Sequence, residues 1–301
     1  MNIDYLISFI ETYRENSISK ACKKLHLTQS ALSQQLQSLE KSLDSNLLIR
    51  SNKGVTLTEE GDIVASYAET IINLYDNMLK ELQQSKQSLI NEIKIFSCNS
   101  VGEYLLPCTL HLYKKNYLDI RFNLKTEKTK NVIENILNCS ADIGFIDTKF
   151  KQEGIECITV STGNLVFIYS EKNDYIDAST ISLNEIYKLP LIMGPKESFL
   201  RQSIEDMFFK NNINVNDLNI EIELDTIESI KASVIANHGV SILPYTSVKK
   251  ELYSGVLKTT PIEDAAPKHN ICMIYQKNRA NHPHIKDFIS YIKKYGKETF
   301  C

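Results

Sequence analysis

The chain has 301 residues, which is enough for two or three globular units rather than one. Hydrophobic residues make up 43% and charged residues 24% of it, the proportions of an ordinary soluble protein. Its formal net charge of −3 excludes a uniformly basic nucleic-acid-binding chain, so any DNA contact has to come from a local surface.

No targeting signal is evident in the sequence. Residues 1–5 have no basic region and open no long apolar run, which argues against a signal peptide. No segment reaches about 18 consecutive apolar residues, so we expect no membrane span and no membrane partner. The seven cysteines are odd in number and lack CxxC spacing, which favours reduced thiols and a cytoplasmic location.

Two short helices are predicted at the start of the chain. The inward-facing residues of the first are Leu6, Phe9, Ile10 and Tyr13. Ser17 is placed to cap the second, whose inward-facing residues are Ile18, Ala21, Cys22 and Leu25. Only His26 and Leu27 separate it from a third helix that begins after Thr28, and so short a link is typical of a helix-turn-helix.

The third helix has two contrasting faces. Its apolar residues are Leu32, Leu36, Leu39 and Leu43. Its polar face carries Ser30, Gln34, Gln37 and Lys41, with Ser33 at the edge. Serine and glutamine can hydrogen-bond to base edges, and the absence of an acid avoids repulsion by phosphate. Periodicity alone fits any solvated amphipathic helix, but the neighbouring elements favour a DNA-binding one.

A local positive charge and a hairpin support this interpretation. Residues 1–57 contain seven Lys and Arg against five Asp and Glu, a net charge of +2. Apolar runs on both sides of Asn52-Lys53-Gly54 predict a two-stranded wing. Arg50 and Lys53 are then placed to meet phosphate or the minor groove.

The run from Ser17 to Gly61 resembles the winged helix-turn-helix of the LysR-type transcriptional regulators. The residues that carry the resemblance are Ser19, Ala21, Thr28 to Ser33, Leu39, Glu40, Arg50 and Leu57 to Gly61. Family members often have Arg at position 34, Gly at 44 and Phe at 48, where this chain has Gln34, Asp44 and Leu48. Gln34 therefore bears on the operator sequence, whereas the other two differences concern structure. The DNA contacts that we expect are Ser17, Thr28, Gln29, Ser30, Ala31, Ser33, Gln34, Gln37, Arg50 and Lys53.

A long helix is predicted next, capped by Thr58 and opened by Glu59 and Glu60, which suit the helix dipole. A four-three repeat along it predicts the seam of a coiled coil, formed by Val64, Ala68, Ile71, Tyr75, Met78 and Leu82. The alternative is a helix packed on its own domain. The resemblance implies a homodimer or a homotetramer built as a dimer of dimers, and the stretch 83–88 is interpreted as a hinge.

From residue 91 onward strands alternate with helices, which is typical of an α/β fold. Strands are predicted at 93–96, 121–125, 141–146, 165–169, 190–193, 220–224, 240–243 and 271–275. Helices are predicted from 99 to about 113, at 129–137, 229–236 and 284–295. The order is similar to the family's effector domain, which has two lobes like a periplasmic binding protein.

The predicted fold class is α+β overall, with a winged helix-turn-helix, a linker helix and a two-lobed α/β effector domain. The expected domains are 1–58 for DNA binding, 59–88 for the linker and dimerisation helix, and 89–301 for effector binding. Lobe I is expected at 91–160 and 266–301, and lobe II at 161–265.

An effector site is expected between the lobes. Asn99, Ser100 and the amide of Val101 lie at a strand-to-helix turn that suits a carboxylate or an oxyanion, although an ordinary cap without a ligand is the alternative. The resemblance implies effector binding there and adds Thr129, Ser198, Arg201 and Thr226. Arg201 can offer a forked donor to an anion. The loop 196–201 lacks the glycines of many relatives, so the identity of the effector stays open, as does an empty site.

Enzymatic functions are not indicated. The sequence has no GxGxxG, P-loop, GxSxG or HExxH motif, so no catalytic residue and no cofactor are predicted. His282 and His284 have no third ligand nearby in sequence, so no metal site is predicted. Cys98 precedes a helix N-terminus that can lower its pKa and make it oxidisable, with Cys108 one short helix away. Packing of both thiols in the core is the favoured interpretation.

These observations predict a cytoplasmic, ligand-responsive transcription factor that is not an enzyme. Its expected partners are double-stranded promoter DNA, a small anionic metabolite, further copies of itself and, as a further candidate, RNA polymerase. Two alternatives remain open from the sequence. One is a thiol-based redox-sensing regulator, and the other is a soluble solute-binding protein without a DNA function.

Overall fold

The computed structural model describes residues 2–51, 54–84, 91–173, 179–263 and 268–300. Contacts divide the chain into two compact units, residues 1–89 with 137–140 and residues 90–136 with 141–301. None of the helices in the described ranges combines the length and the apolarity that crossing a bilayer requires.

The N-terminal unit is a winged helix-turn-helix followed by a long helix, as predicted. Its elements are α1 (Ile3–Arg14), α2 (Ile18–Leu25), α3 (Gln29–Leu43), β1 (Leu48–Ser51), β2 (Gly54–Leu57) and α4 (Glu59–Gln84). Strands β1 and β2 form an antiparallel hairpin in which Leu48 lies opposite Leu57. The predicted turn residues 52–53, including Lys53, lie outside the described residues, as do residues 85–88 of the hinge predicted at 83–88. Residues 83–84 of that hinge belong to α4, so the prediction is wrong there.

Side-chain caps begin all four of these helices, and in α1 it is Asn2 Oδ1 that accepts from the Asp4 amide at 3.1 Å. Ser17 Oγ accepts a hydrogen bond from the Lys20 amide at 3.4 Å, and Thr28 Oγ1 accepts one from the Ala31 amide at 3.2 Å. Thr58 Oγ1 accepts from the Gly61 amide at 2.9 Å. Asp44 ends α3 in the left-handed region, with φ of 50°, which is the conformation that glycine adopts most readily. This explains why relatives often have glycine at that position.

The core of the N-terminal unit holds the three short helices together. Its most buried apolar residues include Leu6, Phe9, Ile10, Ala21, Leu32, Leu36, Leu39 and Leu47. Tyr13 and Leu43 were expected in the same core, but they are 42% and 37% exposed. Both lie in the last turn of their helices, where the three-helix core ends.

Helix α4 differs from the predicted seam in its first half. Ala68 is almost fully buried, and Val64 packs against the same core as the three short helices, so neither faces a partner. The apolar residues exposed along α4 are Ile63, Tyr67, Ile71, Leu74, Tyr75, Met78, Leu79 and Leu82. Within them, the subset Ile63, Tyr67, Ile71, Leu74 and Met78 keeps a helical spacing, and we call it the α4 stripe. The predicted seam is therefore wrong at Val64 and Ala68, because these residues complete the core of their own domain.

The C-terminal unit is a two-lobed α/β domain, as predicted. Its first elements are β3 (Asn91–Ser97), α5 (Asn99–Gly102), α6 (Leu106–Asn116), β4 (Ile120–Thr126), α7 (Thr129–Leu137), β5 (Ile143–Ile146) and β6 (Ile155–Ser170). The second lobe adds α8 (Leu183–Ile186), β7 (Leu191–Met193), α9 (Phe199–Lys210), β8 (Ile220–Glu223), α10 (Ile227–Ile235), β9 (Ser241–Pro244), α11 (Tyr245–Ser254) and β10 (Leu257–Thr260). The chain returns through β11 (Lys268–Gln276) to α12 (Pro283–Thr299).

Strand β6 connects the two lobes. In the first lobe β3 lies between β4 and β5 and runs parallel to both. Strand β11 pairs antiparallel with β5 and with residues 155–164 of β6. Residues 165–170 of β6 pair instead with β9 and β10. Each lobe has its own hydrophobic core, represented by Phe145 and Phe288 in the first and by Phe167 and Phe208 in the second.

The predicted helix from 99 to 113 is two helices, α5 and α6, separated by residues 103–105. Pro107 lies in the first turn of α6, where its missing amide hydrogen costs nothing, so a new helix begins there. The predicted loop at 196–201 already belongs in part to α9, which Ser198 caps. Helices α8, α9 and α11, strand β10 and residues 155–164 of β6 were not predicted.

Glu40 anchors α3 to the wing, and its removal is expected to destabilise the N-terminal unit. Its Oε1 accepts hydrogen bonds from the amides of Leu47 at 2.9 Å and Leu48 at 3.3 Å. Glu40→Ala leaves two amides without an acceptor, which typically costs about 1–3 kcal/mol. Hydrogen exchange of α3 amides in the full chain measures this loss. Glu40→Gln keeps an acceptor and should recover most of the stability, so equal losses in both variants would contradict this role.

Candidate DNA-binding surface and effector site

The polar face of α3 is open to solvent. Gln29, Ser30, Gln34, Gln37 and Lys41 are exposed, and Ala31 and Ser33 are partly exposed. The opposite side of the helix is anchored by fully buried leucines. A helix held in this way can present its polar side chains to the major groove without losing its own packing.

Two hydrogen bonds order the beginning of this face. Gln29 Nε2 donates to Ser19 Oγ at 3.0 Å, and the hydroxyls of Thr28 and Ser30 lie 3.1 Å apart. Ser19 was not among the expected DNA contacts, yet it orients the side chain of Gln29. Its place in helix α2, ten residues before Gln29, is the signal that could have identified it.

The charges around this face also suit DNA. Lys24 pairs with Glu11 at 2.6 Å and with Glu15 at 3.1 Å, and the hydrogen bonds that it donates to these two carboxylates raise the pKa of Lys24. None of the ion pairs in the described residues of this unit involves Lys41 or Arg50. Both cations are exposed and therefore available to phosphate.

In the effector domain, the residues expected at the first strand-to-helix turn are largely enclosed. Ser100 and Val101 are buried, while Asn99 is partly exposed. The amide of Val101 donates to the carbonyl of Cys98 at 3.2 Å, so it is already paired and is not offered to an anion. The Ser100 hydroxyl lies 3.5 Å from Cys98 Sγ.

An ion pair joins the two lobes beside Thr129 and Thr226. Lys128 and Asp225, each one residue before a site threonine, form an ion pair of 3.4 Å. Thr129 Oγ1 donates to Asp147 Oδ1 at 2.8 Å, and Thr226 Oγ1 accepts from the Ser229 amide at 3.1 Å as the cap of α10. The two threonines therefore lie at adjoining parts of the facing lobes.

Contrary to expectation, Arg201 does not have a guanidinium free to donate to an anionic effector. Its side chain is only 1% exposed, with Nε 2.5 Å from Glu205 Oε1 and Nη1 3.0 Å from the carbonyl of Gly194. A second carboxylate oxygen, Glu223 Oε2, lies 4.0 Å from Arg201 Nη1. Ser198 Oγ accepts from the Arg201 amide at 3.1 Å. Both residues thus stabilise the start of α9 and its neighbours in the second lobe.

The site contains two titratable residues that the sequence analysis missed, Asp147 and His269. Burial raises the pKa of Asp147, although the hydrogen bond from Thr129 opposes the shift. Burial lowers the pKa of His269, and the nearby charge of Asp147 opposes this shift. The Nδ1 atom of His269 has no hydrogen-bond partner among the described residues. Asp147 directly follows the buried strand β5, and an acid at the carboxyl end of such a strand was the available signal.

Cys98 is packed in the core rather than activated. It is 4% exposed, and burial raises the pKa of its thiol, with Asp147 adding to the effect. Hydrogen bonds from Ser100 and the Val101 backbone oppose the shift but do not outweigh it. Core packing, the favoured interpretation, is therefore confirmed for Cys98, and the alternative of a thiol pKa lowered by the helix N-terminus is wrong. Cys108 is exposed, so core packing is wrong for that residue. Cys108 is disulfide-bonded, which contradicts the expectation that all seven cysteines are reduced.

A winged helix-turn-helix joined to a two-lobed α/β domain is the architecture of a ligand-responsive transcriptional regulator. The sequence model described as "Bacterial regulatory helix-turn-helix protein, lysR family" matches residues 3–62. The model described as "LysR substrate binding domain" matches residues 86–297. The chain belongs to the LysR family, whose members are transcriptional regulators with an effector-binding domain rather than enzymes. The match over residues 3–62 overturns the alternative of a solute-binding protein without a DNA function.

Relatives and solved structures agree with this assignment. The chain is similar to a "Probable RuBisCO transcriptional regulator" of Emiliania huxleyi, with 27% identity over 95% of this chain and 92% of the relative. A protein of the same name from Nostoc sp. strain PCC 7120 is 28% identical over 88% of this chain and 80% of the relative.

Among solved structures, the fold is similar to that of CbnR, described as a LysR family transcriptional regulator. The TM-score is 0.74, with 19% identity over 98% of this chain and 99% of CbnR. Full-length BenM gives a TM-score of 0.60, with 24% identity over 100% of this chain and 99% of BenM.

The burial of Cys98 leads to a prediction about its reactivity. At pH 8 we expect iodoacetamide to modify Cys98 in the native protein far more slowly than in denaturant, because the reactive species is the thiolate. Mass spectrometry of the alkylated peptides measures both rates, with the partly exposed Cys157 as the internal comparison. Rapid native labelling of Cys98, or loss of a peroxide response in Cys98→Ser, would instead support the redox-sensing alternative.

Proposed function

We propose that this LysR-type regulator binds double-stranded promoter DNA through α3 and the wing and responds to a small metabolite held between the lobes of its effector domain. The observation that carries the proposal is the acid-free, exposed face of α3, anchored by fully buried leucines on the opposite side. The proposed DNA contacts are Ser17, Thr28, Gln29, Ser30, Ala31, Ser33, Gln34, Gln37, Arg50 and Lys53. A protein that acts on DNA in this way belongs in the cytoplasm.

We place the domain boundaries at 1–58, 59–88 and 89–301. The start of α4 at Glu59 and the start of β3 at Asn91 support them. Within the last domain, the proposed lobes are 91–160 with 266–301, and 161–265. The change of pairing partner along β6 supports a division near this point.

We propose a homodimer formed through the α4 stripe, with a tetramer as its further assembly. The stripe exposes large apolar side chains, 61% for Ile63 and 68% for Tyr67, on a helix of 26 residues. A second copy of the same helix is the natural cover for such a surface. Two recognition helices held about 34 Å apart would reach successive major grooves on one side of the duplex.

The proposed effector is small and anionic, and its proposed contacts are Asn99, Ser100, Thr129, Ser198 and Thr226, while Val101 and Arg201 support the site without pairing with the anion. Because Arg201 and the Val101 amide are already paired, Lys128 is a cation near Thr129 and Thr226 that an anion could recruit. Its partner Asp225 is exposed, and an exposed ion pair typically contributes only about 0–1 kcal/mol. Buried hydrogen-bonding groups at Ser100, Asp147 and His269 would complete the site.

The mechanism that we propose is a shift between lobe arrangements. An effector that binds one arrangement more tightly displaces the equilibrium toward it. In a dimer, such a shift would reposition the paired recognition helices and alter the bending of promoter DNA, and with it the access of RNA polymerase.

The DNA-binding role predicts two kinds of mutational effect. Gln29→Ala and Ser33→Ala should weaken binding to a selected operator by about 1–3 kcal/mol while changing binding to random DNA little, because base-edge contacts carry sequence information. Arg50→Ala should weaken both and reduce the salt slope of log K by about 1, because it removes a phosphate contact. Gel-shift titrations over a salt series measure both effects.

The matched controls for these variants are Gln202→Ala and Lys210→Ala. Both residues are exposed on α9 in the second lobe, so their replacement should leave DNA binding unchanged. Equal losses on operator and random DNA for Gln29→Ala would contradict base readout by that residue. An unaltered salt slope for Arg50→Ala would show that Arg50 makes no phosphate contact and would contradict the role of the wing in DNA binding.

A further inference from the structure

Tyr104 reaches from one lobe of the effector domain into the other. It lies between α5 and α6 of the first lobe, yet its ring packs against a hydrophobic cluster of the second lobe that includes Ile227 and Ile230. Its hydroxyl donates to Glu228 Oε1 at 2.6 Å. Both the apolar and the polar part of one side chain therefore contact α10.

The base of this contact is a buried and fully paired lysine. Lys231 Nζ lies 2.7 Å from Glu228 Oε1, 2.9 Å from Glu251 Oε1 and 3.1 Å from the carbonyl of Ser247. The same ammonium lies 5.2 Å from the centre of the Tyr104 ring, within the range of a cation–π interaction. The second lobe thus supplies a preformed charged group of Lys231, Glu228 and Glu251, which we call the Lys231 seat. Tyr104 is the residue of the first lobe that contacts it.

The ionisation of the group supports a strong hydrogen bond. Burial and the bond to Glu228 raise the pKa of Tyr104, so its hydroxyl remains a donor at neutral pH. Burial acts to raise the pKa of Glu228, but hydrogen bonds from Lys231 and Tyr104 outweigh it and the pKa is lowered. The acceptor is therefore a charged carboxylate, and such charge-assisted bonds are roughly twice as strong as neutral ones.

A second bridge between the same elements provides a contrast. Lys128 and Asp225 also link the first lobe to the start of α10, but both side chains are exposed. The side chain of Glu228 is also 63% exposed, so solvent weakens both polar links, and the two bridges differ chiefly in the packing of the Tyr104 ring and its contact with the buried Lys231. Tyr104 combines ring packing, a cation–π contact and a charge-assisted bond at one point, whereas Lys128 contributes a single exposed pair.

We propose that Tyr104 is a positioning residue that clasps the first lobe to α10 in the absence of effector, and so sets the arrangement of the lobes in which Lys128 reaches Asp225. Opening the cleft requires Tyr104 to leave Glu228 and the Lys231 seat. Because Thr226 caps the same helix that Tyr104 holds, the clasp fixes the second lobe's side of the effector site. The consequence for regulation rests on the proposed function, whereas the clasp itself does not.

Hydrogen exchange of the full chain, without ligand or DNA, tests the clasp. Tyr104→Phe keeps the ring and removes only the hydroxyl, so folding is preserved while exchange in residues 226–232 should rise about tenfold. The matched control Lys128→Gln should raise it by no more than about twofold. Exchange in β3 and β9, within the two lobe cores, should stay at the wild-type rate in both variants.

A second variant establishes whether Tyr104 acts through its partner. Glu228→Ala should raise local exchange at least as much as Tyr104→Phe, because it removes the acceptor of the Tyr104 hydroxyl and also the ion pair with Lys231. The double variant Tyr104→Phe, Glu228→Ala should add little to Glu228→Ala alone, because the hydroxyl then has no acceptor to lose. Wild-type exchange in residues 226–232 of Tyr104→Phe would overturn the proposal. So would an equal increase throughout β3 and β9, which would mark a general loss of stability rather than release of a clasp.

The Tyr104 clasp and the proposed DNA-binding function are tested by separate measurements. Unchanged exchange in Tyr104→Phe overturns the clasp even when the wild-type protein binds its operator. A wild-type protein that does not retard duplex DNA at low salt overturns the proposed function, whatever the exchange measurement shows.

Discussion

The effector domain depends on one antiparallel ladder, the pairing of β6 with β11. Nine residues of β11 lie beside the first part of β6, and the remainder of β6 continues into the sheet of the second lobe. Because β6 is one continuous strand, separating the lobes would break its hydrogen bonds to β11. The lobes therefore stay joined, while the sequences of the loops beside the cleft can change. Within the ladder His269 lies opposite Gly163, where a Cβ would come within 2.6 Å of the imidazole. Glycine is required there by close approach, and it lets a buried imidazole enter the ladder beside the site.

The DNA-binding unit depends on a different constraint, the division of one helix into a buried face and a free face. Leucines at a four-three spacing fasten α3 to the core, and caps at both ends fix its limits. This arrangement is local, since spacing, cap and left-handed terminus all come from residues close together in the chain. That is why α3, the short link before it and the wing after it were predictable from the sequence.

Long-range contacts account for what the sequence did not reveal. Arg201 is an exception, because its main partner, Glu205, is one turn away on α9 and was missed only because that helix was not predicted, while the distant Glu223 adds a weak contact at 4.0 Å. The register of α4 was misjudged because Val64 and Ala68 satisfy the same periodicity as a coiled-coil seam but are taken up by the domain's own core. Asp147 and His269 come together only through the strand order, and Tyr104 gives no sign in the sequence that it crosses to another lobe. Periodicity predicts which residues share a face, but it does not identify what covers that face.

The buried cations of the second lobe limit how an anionic effector can be recognised. Arg201 and Lys231 are both buried there, and each is neutralised by glutamates of the same lobe. Leaving such a cation without its acid would be costly, so neither is readily transferred to an incoming anion. An effector therefore gains more from buried hydrogen-bonding groups and from the fit between the lobes than from direct pairing with these cations. Recognition in this chain then depends on how the lobes are held together, and the residues that hold them become as important as those that touch the ligand.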